Sequence, residues 1–522
     1  MSKIQIFDTT LRDGQQTKGI SYTVPDKIKI ASLLDDLGVD YIEGGWPGAS
    51  PKVDAFFKAM IDVELKNAKL VAFGSTRRAS NAAKDDIFLN KIVNSQAPVA
   101  CIFGKSWDLH VTEALGITLE ENLEVIEDSV KYLKDSGMSV LYDAEHFFDG
   151  YKANPEFTVK TLKAAERGGA ECLILCDTNG GTLPQEVTEI MNAIKKDINV
   201  PLGIHAHNDS EMAVANSVTA VAAGAIQVQG TINGYGERCG NANLCSVIPN
   251  LVLKMGHDCL SANENMQQLT KISHHVSEIA NMVPIPGQAY VGMNAFAHKG
   301  GIHVSAILKN SDTYEHIKPA LVGNRQIVTV SDQAGLSNLV YKAEKFGIEI
   351  DKKDPRIKDL VKQVKDMENM GLSFEEGEAS FELLMRRTLG LYERFFTLQG
   401  FRVIDEKRGH DERVIVEATV KINLNGTIFH TAADGNGPVS ALDHALRKGL
   451  ESHYPEINKI QLRDYKVRVL NSDEGPDAMV RVLITSTDGE SSWGTVGVST
   501  NLIEASWRAL VDSFEYKLLK GQ

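Results

Sequence analysis

Gly203-Ile204-His205-Ala206-His207-Asn208-Asp209 reads as the end of a buried strand that carries two imidazoles. Residues two apart on a strand share a face, so His205 and His207 project together while Ala206 points the other way and keeps the space small. Two such rings can hold a divalent ion, yet a His-x-His pair alone is more often a satisfied polar pair than a site. What decides between these readings is whether other strand ends offer further ligands.

Working outward, apolar strand-like runs stand at 4–8, 39–43, 70–74, 99–103, 140–145, 172–177, 201–207 and 226–230. Amphipathic helical runs such as 27–37, 119–134, 157–167, 184–195 and 212–223 lie between them. Eight strands alternating with helices predict an α/β fold with an N-terminal (β/α)8 TIM barrel, whose chemistry gathers at the C-terminal strand ends. The informative polar residues fall there: Asp8-Thr9-Thr10-Leu11-Arg12-Asp13-Gly14 after the first strand, Glu43 after the second, and Asp143, Glu145 and His146 after the fifth. Asp177 and Thr178 follow at the sixth, the histidine pair at the seventh, and Gly236-Glu237-Arg238-Cys239-Gly240-Asn241 beyond the eighth. A carboxylate, two imidazoles and an amide oxygen at one pole make a mixed N/O site for a divalent ion. Carboxylate and amide favour Mg²⁺ or Mn²⁺, whereas two imidazoles suit Zn²⁺ or Mn²⁺.

At 522 residues the chain predicts two or three domains. Lys+Arg 55 against Asp+Glu 69 gives 55 − 69 = −14, with no basic stripe, which argues against nucleic acid. No stretch has the ~20 apolar residues of a membrane span, and the start Met1-Ser2-Lys3-Ile4 lacks an apolar leader, so a cytoplasmic protein with no membrane partner is expected. Six cysteines show no disulfide-like density, and Cys172 and Cys176 sit in or beside an apolar run as buried thiols.

The first motif, the histidine pair and residues 236–241 together resemble the metal-dependent acyl-CoA condensing and cleaving barrels. That family includes 2-isopropylmalate, homocitrate and citramalate synthases and hydroxymethylglutaryl-CoA lyase. The resemblance implies Asp13, His205, His207 and Asn241 around the metal, Arg12 polarising a keto group and Glu145 as the base. Thr178 is expected to hydrogen-bond the keto-acid carboxylate. In the synthases a small subdomain places a histidine and a tyrosine over the neighbouring barrel's site, which nominates His303 and Tyr314. Many members carry aspartate two residues after that histidine, where this chain has Ser305. His298 reads equally as a structural helix residue.

After a connector at 282–287 and a charged helical region at 351–370, residues 390–522 turn β-rich. Residues 436–446 are echoed by 500–510 at an offset of 64, which predicts duplicated βββα-like units sharing a core. The expected division is a catalytic barrel at 1–275, a mostly helical linker subdomain at 276–389 and a C-terminal α+β regulatory domain at 390–522. The last resembles the dimerising, effector-binding domain of 2-isopropylmalate and citramalate synthases, and implies a homodimer with isoleucine, or else leucine, held between the repeated units.

The stretches 38–49, 142–150 and 493–499 look most like one branch of (R)-citramalate synthases, and the likeness runs through essentially the whole chain. It implies acetyl-CoA and pyruvate as substrates and citramalate as product, at the entry to isoleucine synthesis through 2-oxobutyrate. The alternatives are 2-isopropylmalate synthase acting on 2-oxoisovalerate, an acyl-CoA lyase, and a non-catalytic amino-acid sensor. Trp46, Phe147 and Phe148 could narrow the keto-acid pocket or belong to the core. Glu43 could orient Arg12 or form a structural ion pair, Asp143 and His146 could shape the pocket or support it from behind, and Arg77 and Arg78 could meet CoA phosphates or remain solvated.

Overall fold

Eight parallel strands close into a barrel in chain order: β1 Gln5–Asp8, β2 Tyr41–Gly45, β3 Lys69–Ser75, β4 Val99–Lys105, β5 Ser139–Glu145, β6 Cys172–Asp177, β7 Leu202–Ala206 and β8 Gln227–Gly230. The computed structural model describes residues 3–351, 354–407, 409–410 and 413–521. Of the stretches read above, Met1, Ser2, Lys352, Lys353, Arg408, Asp411, Glu412 and Gln522 lie outside them. Closure runs from Gln5 beside Gln227 to Asp8 beside Gly230.

Chain-local chemistry sets the edges of these elements. Thr23 opens the helix Val24–Leu37 with a capping box to Asp26, and Gly38 ends it at φ +90°, a conformation that favours glycine. The Val39 N–H donates to the Leu34 carbonyl and is spent on closing that helix. The second strand therefore begins at Tyr41, two residues later than the apolar run at 39–43 predicts. The fourth strand continues past Phe103 to Lys105 and carries a charged residue to the barrel mouth.

Strand alternation sorts the barrel into two cores. Phe7, Val71, Phe73, Val99, Cys101, Leu141, Cys172, Ile174 and Cys176 form the cluster inside the barrel. A larger cluster, including Ile6, Ala72, Ala100, Tyr142, Leu173 and Ile204, lies between strands and helices. Strands buried on both faces read as near-continuous apolar runs, which is why these were legible. Cys172 and Cys176 are buried thiols, as expected, while Cys239 is exposed. The inward column of β5 changes from Leu141 to Asp143, both buried, so polarity begins where chemistry is expected.

The chain divides into two compact units, 1–296 with 317–325 and 297–316 with 326–522. In the second unit the helices Gly301–Ile307, Leu336–Lys345, Pro355–Asn369 and Glu378–Leu389 precede two sheets. A short parallel pair, β9 Ala297–His298 and β10 Ile327–Val328, places His298 in a strand, which corrects its reading as a helix residue. Thr329, the residue after β10, donates its N–H to the His298 carbonyl at 3.0 Å, consistent with the extended pairing.

The first C-terminal sheet is the meander β11 Thr397–Glu406, β12 Ile415–Leu424 and β13 Thr427–Gly435, followed by the helix Pro438–Leu450. The second is β14 Gln461–Val469, β15 Val480–Thr487 and β16 Ser492–Ser499, followed by the helix Leu502–Lys520. The helices begin 502 − 438 = 64 residues apart, the offset seen in the sequence. Ala441, Leu442, Leu446, Trp507, Leu510 and Phe514 join in one core, so the duplicated βββα units share it. Among the described residues no helix is long and apolar enough to cross a membrane.

Candidate active site

Asp13, His205 and His207 meet at the C-terminal mouth of the barrel, each buried. Asp13 Oδ2 lies 3.7 Å from His205 Nε2 and 3.8 Å from His207 Nε2, and the two Nε2 atoms are 3.3 Å apart. Asn241 is brought alongside by an antiparallel bridge to His207. Its Nδ2 donates to Asp13 Oδ1 at 2.9 Å, and its Oδ1 is buried without a partner. Gly236 leaves the space for this: a Cβ there would come within 2.1 Å of Asn241 Nδ2.

Hydrogen bonding from behind sets the histidine tautomer. Gln229 Nε2 donates to Asp143 Oδ1 at 3.0 Å, which turns Gln229 Oε1 towards His205 Nδ1 at 2.9 Å. Nδ1 therefore carries the proton, and the Nε2 lone pair faces Asp13. Burial, then the neighbouring His207, pushes the His205 pKa down to about 4, so the ring is neutral near pH 7. Burial opposes the Asp13 charge, but Arg12, the two histidines and Asn241 hold its carboxyl below the usual range. An ionised oxygen, two neutral imidazoles and an orphaned amide oxygen fit a divalent cation.

Arg12 completes the electrostatics. Its Nε donates to Glu43 Oε2 at 2.6 Å, its Nη1 approaches Asp13 Oδ2 at 3.0 Å, and its guanidinium lies 3.8 Å from the Phe73 ring centroid. Burial disfavours the cation, yet Glu43 and Asp13 outweigh that and hold its pKa above the ordinary arginine value. Glu43, left open between an orienting and a structural role, thus contacts Arg12 directly.

A cavity of about 420 Å³ is lined by Arg12, Asp13, Glu145, Thr178, His205 and His207 among others. Thr178 Oγ1 accepts the His146 N–H at 2.8 Å and retains its own proton to donate. Phe147 and Phe148 are fully buried core residues and do not line the cavity. The aromatic lining is Trp46 with Phe73 and Phe103, and the last two stack at 5.5 Å. Asp143 also lines it, with a pKa raised to about 7 by burial and then by Glu43. His146 stands by Asp149 at 3.2 Å and against the His110 ring at 4.3 Å.

Arg77 is engaged with Asp128 at 2.6 Å and with backbone carbonyls, and Arg78 lies 5.2 Å from the Phe88 ring centroid. His303 and Tyr314 belong to the second unit, where their rings stack at 4.3 Å. His298 Nε2 lies 3.3 Å from Glu315 Oε1.

Sequence reasoning missed Gln229, Phe73, Phe103 and Lys105, and it read Gly236 as part of a motif without its role of leaving space for Asn241. Gln227 and Gln229, two amides facing inward on a short strand, were the available signal for the first.

A family model described as HMGL-like matches residues 3–276. Homocitrate synthase post-HMGL domain-like matches 290–371, and the LeuA allosteric (dimerisation) domain matches 376–518. The (R)-citramalate synthase of Geobacter sulfurreducens is 56% identical over 522 residues, covering 100% of this chain and 99% of the relative. That of Aquifex aeolicus is 56% identical over 524 residues, covering 100% and 98%. A 2-isopropylmalate synthase of Methanocaldococcus jannaschii is 33% identical over 525 residues, covering 100% and 96%.

Proposed function

Because the chain belongs to the HMGL-like family and aligns along its whole length with (R)-citramalate synthases, we infer that it condenses acetyl-CoA with pyruvate and water to give (R)-citramalate and CoA. The observation that carries the chemistry is the convergence of Arg12, Asp13, Glu145, His205 and His207 on one cavity. The 2-isopropylmalate synthase alternative has its support in more distant relatives.

Asp13, His205, His207 and Asn241 would hold the divalent metal, Mn²⁺, Mg²⁺ or Zn²⁺. When bound it supplies Lewis-acid polarisation of the keto acid and a template for its oxygens. Thr178 donates to the pyruvate carboxylate. Arg12, held by Glu43, presents a fixed positive charge where the keto oxygen gains negative charge. Glu145 takes a proton from the acetyl methyl group, and the resulting carbanion equivalent forms the carbon–carbon bond to the keto carbon. Water then splits the thioester, releasing CoA, with His303 and Tyr314 proposed to assist. Hydrolysis makes the sequence effectively one-way.

The proposed division of labour is 1–275 for catalysis, 276–389 for the linker part and 390–522 for dimerisation and feedback by isoleucine, or else leucine, in isoleucine synthesis through 2-oxobutyrate. The three family matches at 3–276, 290–371 and 376–518 support this order. A cytoplasmic homodimer is the expected form.

The test is CoA release from acetyl-CoA with Mn²⁺ or Mg²⁺, comparing pyruvate, 2-oxoisovalerate and 2-oxoglutarate. Preference for pyruvate is expected. Preference for 2-oxoisovalerate would transfer the protein to the leucine branch, and silence with all three would favour a lyase or sensor.

A further inference from the structure

Lys105 and Glu145 are register partners at the adjoining ends of β4 and β5. The Lys105 ammonium forms a close ion pair with Glu145 Oε2, and the two side chains are 20% and 23% exposed. The backbone on both sides is tied: Ser106 N–H donates to the Glu145 carbonyl at 3.2 Å, and Asn122 Nδ2 donates to the Lys105 carbonyl at 2.9 Å. The ammonium also lies 5.5 Å from the ring centroid of Phe103, a cavity wall residue. Glu145 lines the cavity.

We propose that Lys105 is a positioning residue for Glu145, holding the carboxylate by one oxygen so that the other receives the methyl proton of acetyl-CoA. The inference rests on the reading of Glu145 as the base. A lysine ammonium is a point charge that pairs with one oxygen, unlike the two-pronged guanidinium of arginine, so Oε1 is left for the proton. In the step, the methyl C–H bond breaks and an O–H bond forms at Glu145 Oε1. The electron pair passes to the thioester as an enolate, and that pair then forms the new carbon–carbon bond. Negative charge leaves Glu145 while the ammonium stays in place, so the pair is organised before the reaction and needs no rearrangement during it.

The sequence explains why this pairing is possible here. β4 runs as Val99-Ala100-Cys101-Ile102-Phe103-Gly104-Lys105, and its alternation puts Phe103 and Lys105 on the same side. Gly104 between them has no room for a side chain: a Cβ would come within 2.6 Å of the Tyr142 hydroxyl. The strand therefore extends flush against β5 up to the lysine.

The experiment compares Lys105→Met, Lys105→Ala and Glu145→Gln in the full chain, with circular dichroism and metal content as checks on folding. Glu145→Gln is expected to abolish turnover. Lys105→Met should lower kcat about 10- to 100-fold with KM for pyruvate within twofold, since the loss falls on proton transfer and not on keto-acid binding. The kinetic isotope effect with trideuteroacetyl-CoA should rise in the same variant. Lys105→Ala should regain kcat saturably with added ethylamine, which a purely structural ion pair would not produce. Wild-type kcat and isotope effect in Lys105→Met, or no amine rescue of a folded Lys105→Ala, would overturn the inference while leaving Glu145 as base. Full activity in Glu145→Gln would overturn both.

Discussion

Arg12 and Glu43 are joined through Nε and Oε2 at 2.6 Å, and the same oxygen accepts the Thr9 hydroxyl at 2.5 Å. Glu43 is buried and its other oxygen has no partner, so its charge is balanced chiefly by Arg12. Glu43→Gln should release the guanidinium from its place over Phe73. We expect kcat to fall about 100-fold and stability to drop by about 3 kcal/mol, the scale for breaking a buried ion pair. Urea unfolding alongside steady-state kinetics checks both, and unchanged kcat would show that Arg12 is held by other means.

Gln229 serves two masters, the His205 ring and the Asp143 carboxyl. Gln229→Leu keeps the volume but frees the imidazole to adopt either tautomer. Metal affinity should weaken 10- to 100-fold, the usual cost of losing such a support. Calorimetric titration of the metal-free protein with Mn²⁺ measures it directly, and an unaltered affinity would refute the tautomer argument.

Phe73, Phe103 and Trp46 form the aromatic wall of the cavity, which on the proposed function would bound the space open to the keto acid's substituent. Phe103→Ala should raise the ratio of kcat/KM for 2-oxoisovalerate over pyruvate by at least about 10-fold, since the isopropyl group is larger than methyl by two carbons and each such increment is worth about 1–3 kcal/mol. Competition between the two acids with product analysis reads the ratio. A ratio that does not move would place the selectivity elsewhere.

Asp8 is fully buried, and burial raises its pKa to about 7 against the hydrogen bonds from Thr10 that lower it. Between about pH 4 and pH 7 the native chain holds a proton on Asp8 that the unfolded chain has lost, so this group's contribution to stability falls as pH rises through that window. Asp8→Asn should therefore lose less stability than the wild type between pH 5 and pH 8. Denaturation midpoints at those two pH values decide the point, and equal losses would count against it.

The barrel was legible because its strands are buried on both faces and leave unbroken apolar runs, and because chemistry-bearing residues interrupt those runs only at their ends. Asp13, His205 and His207 could be named from motif and strand alternation, and the second C-terminal unit from a 64-residue echo. The supporting layer was harder to read. Gln229 and Gly236 act through a neighbour's tautomer and through space left empty, neither of which leaves a periodic mark. Phe147 and Phe148 were left open between pocket and core because aromatics near a strand end can face either the pocket or the surrounding helices, and the structure puts both in the core. The second strand began late because a helix cap claimed Val39, a competition between turn chemistry and apolar pattern that the pattern alone does not reveal.

The closure of β1 on β8 joins residues 222 positions apart, as between Gln5 and Gln227. A ribosome adding about 5–20 residues per second needs about 10–45 seconds to cover that interval. Until then the edge of the first strand that pairs with β8 is open, and Asp13 has its neighbour Arg12 but neither histidine nor Asn241 beside it. Asn241 lies further along the chain still, so the four residues proposed to hold a metal stand together only in the closed barrel. A metal bound there would then be taken up late and would not nucleate folding. Refolding with and without Mn²⁺ should accordingly share its early phases and differ only in the last.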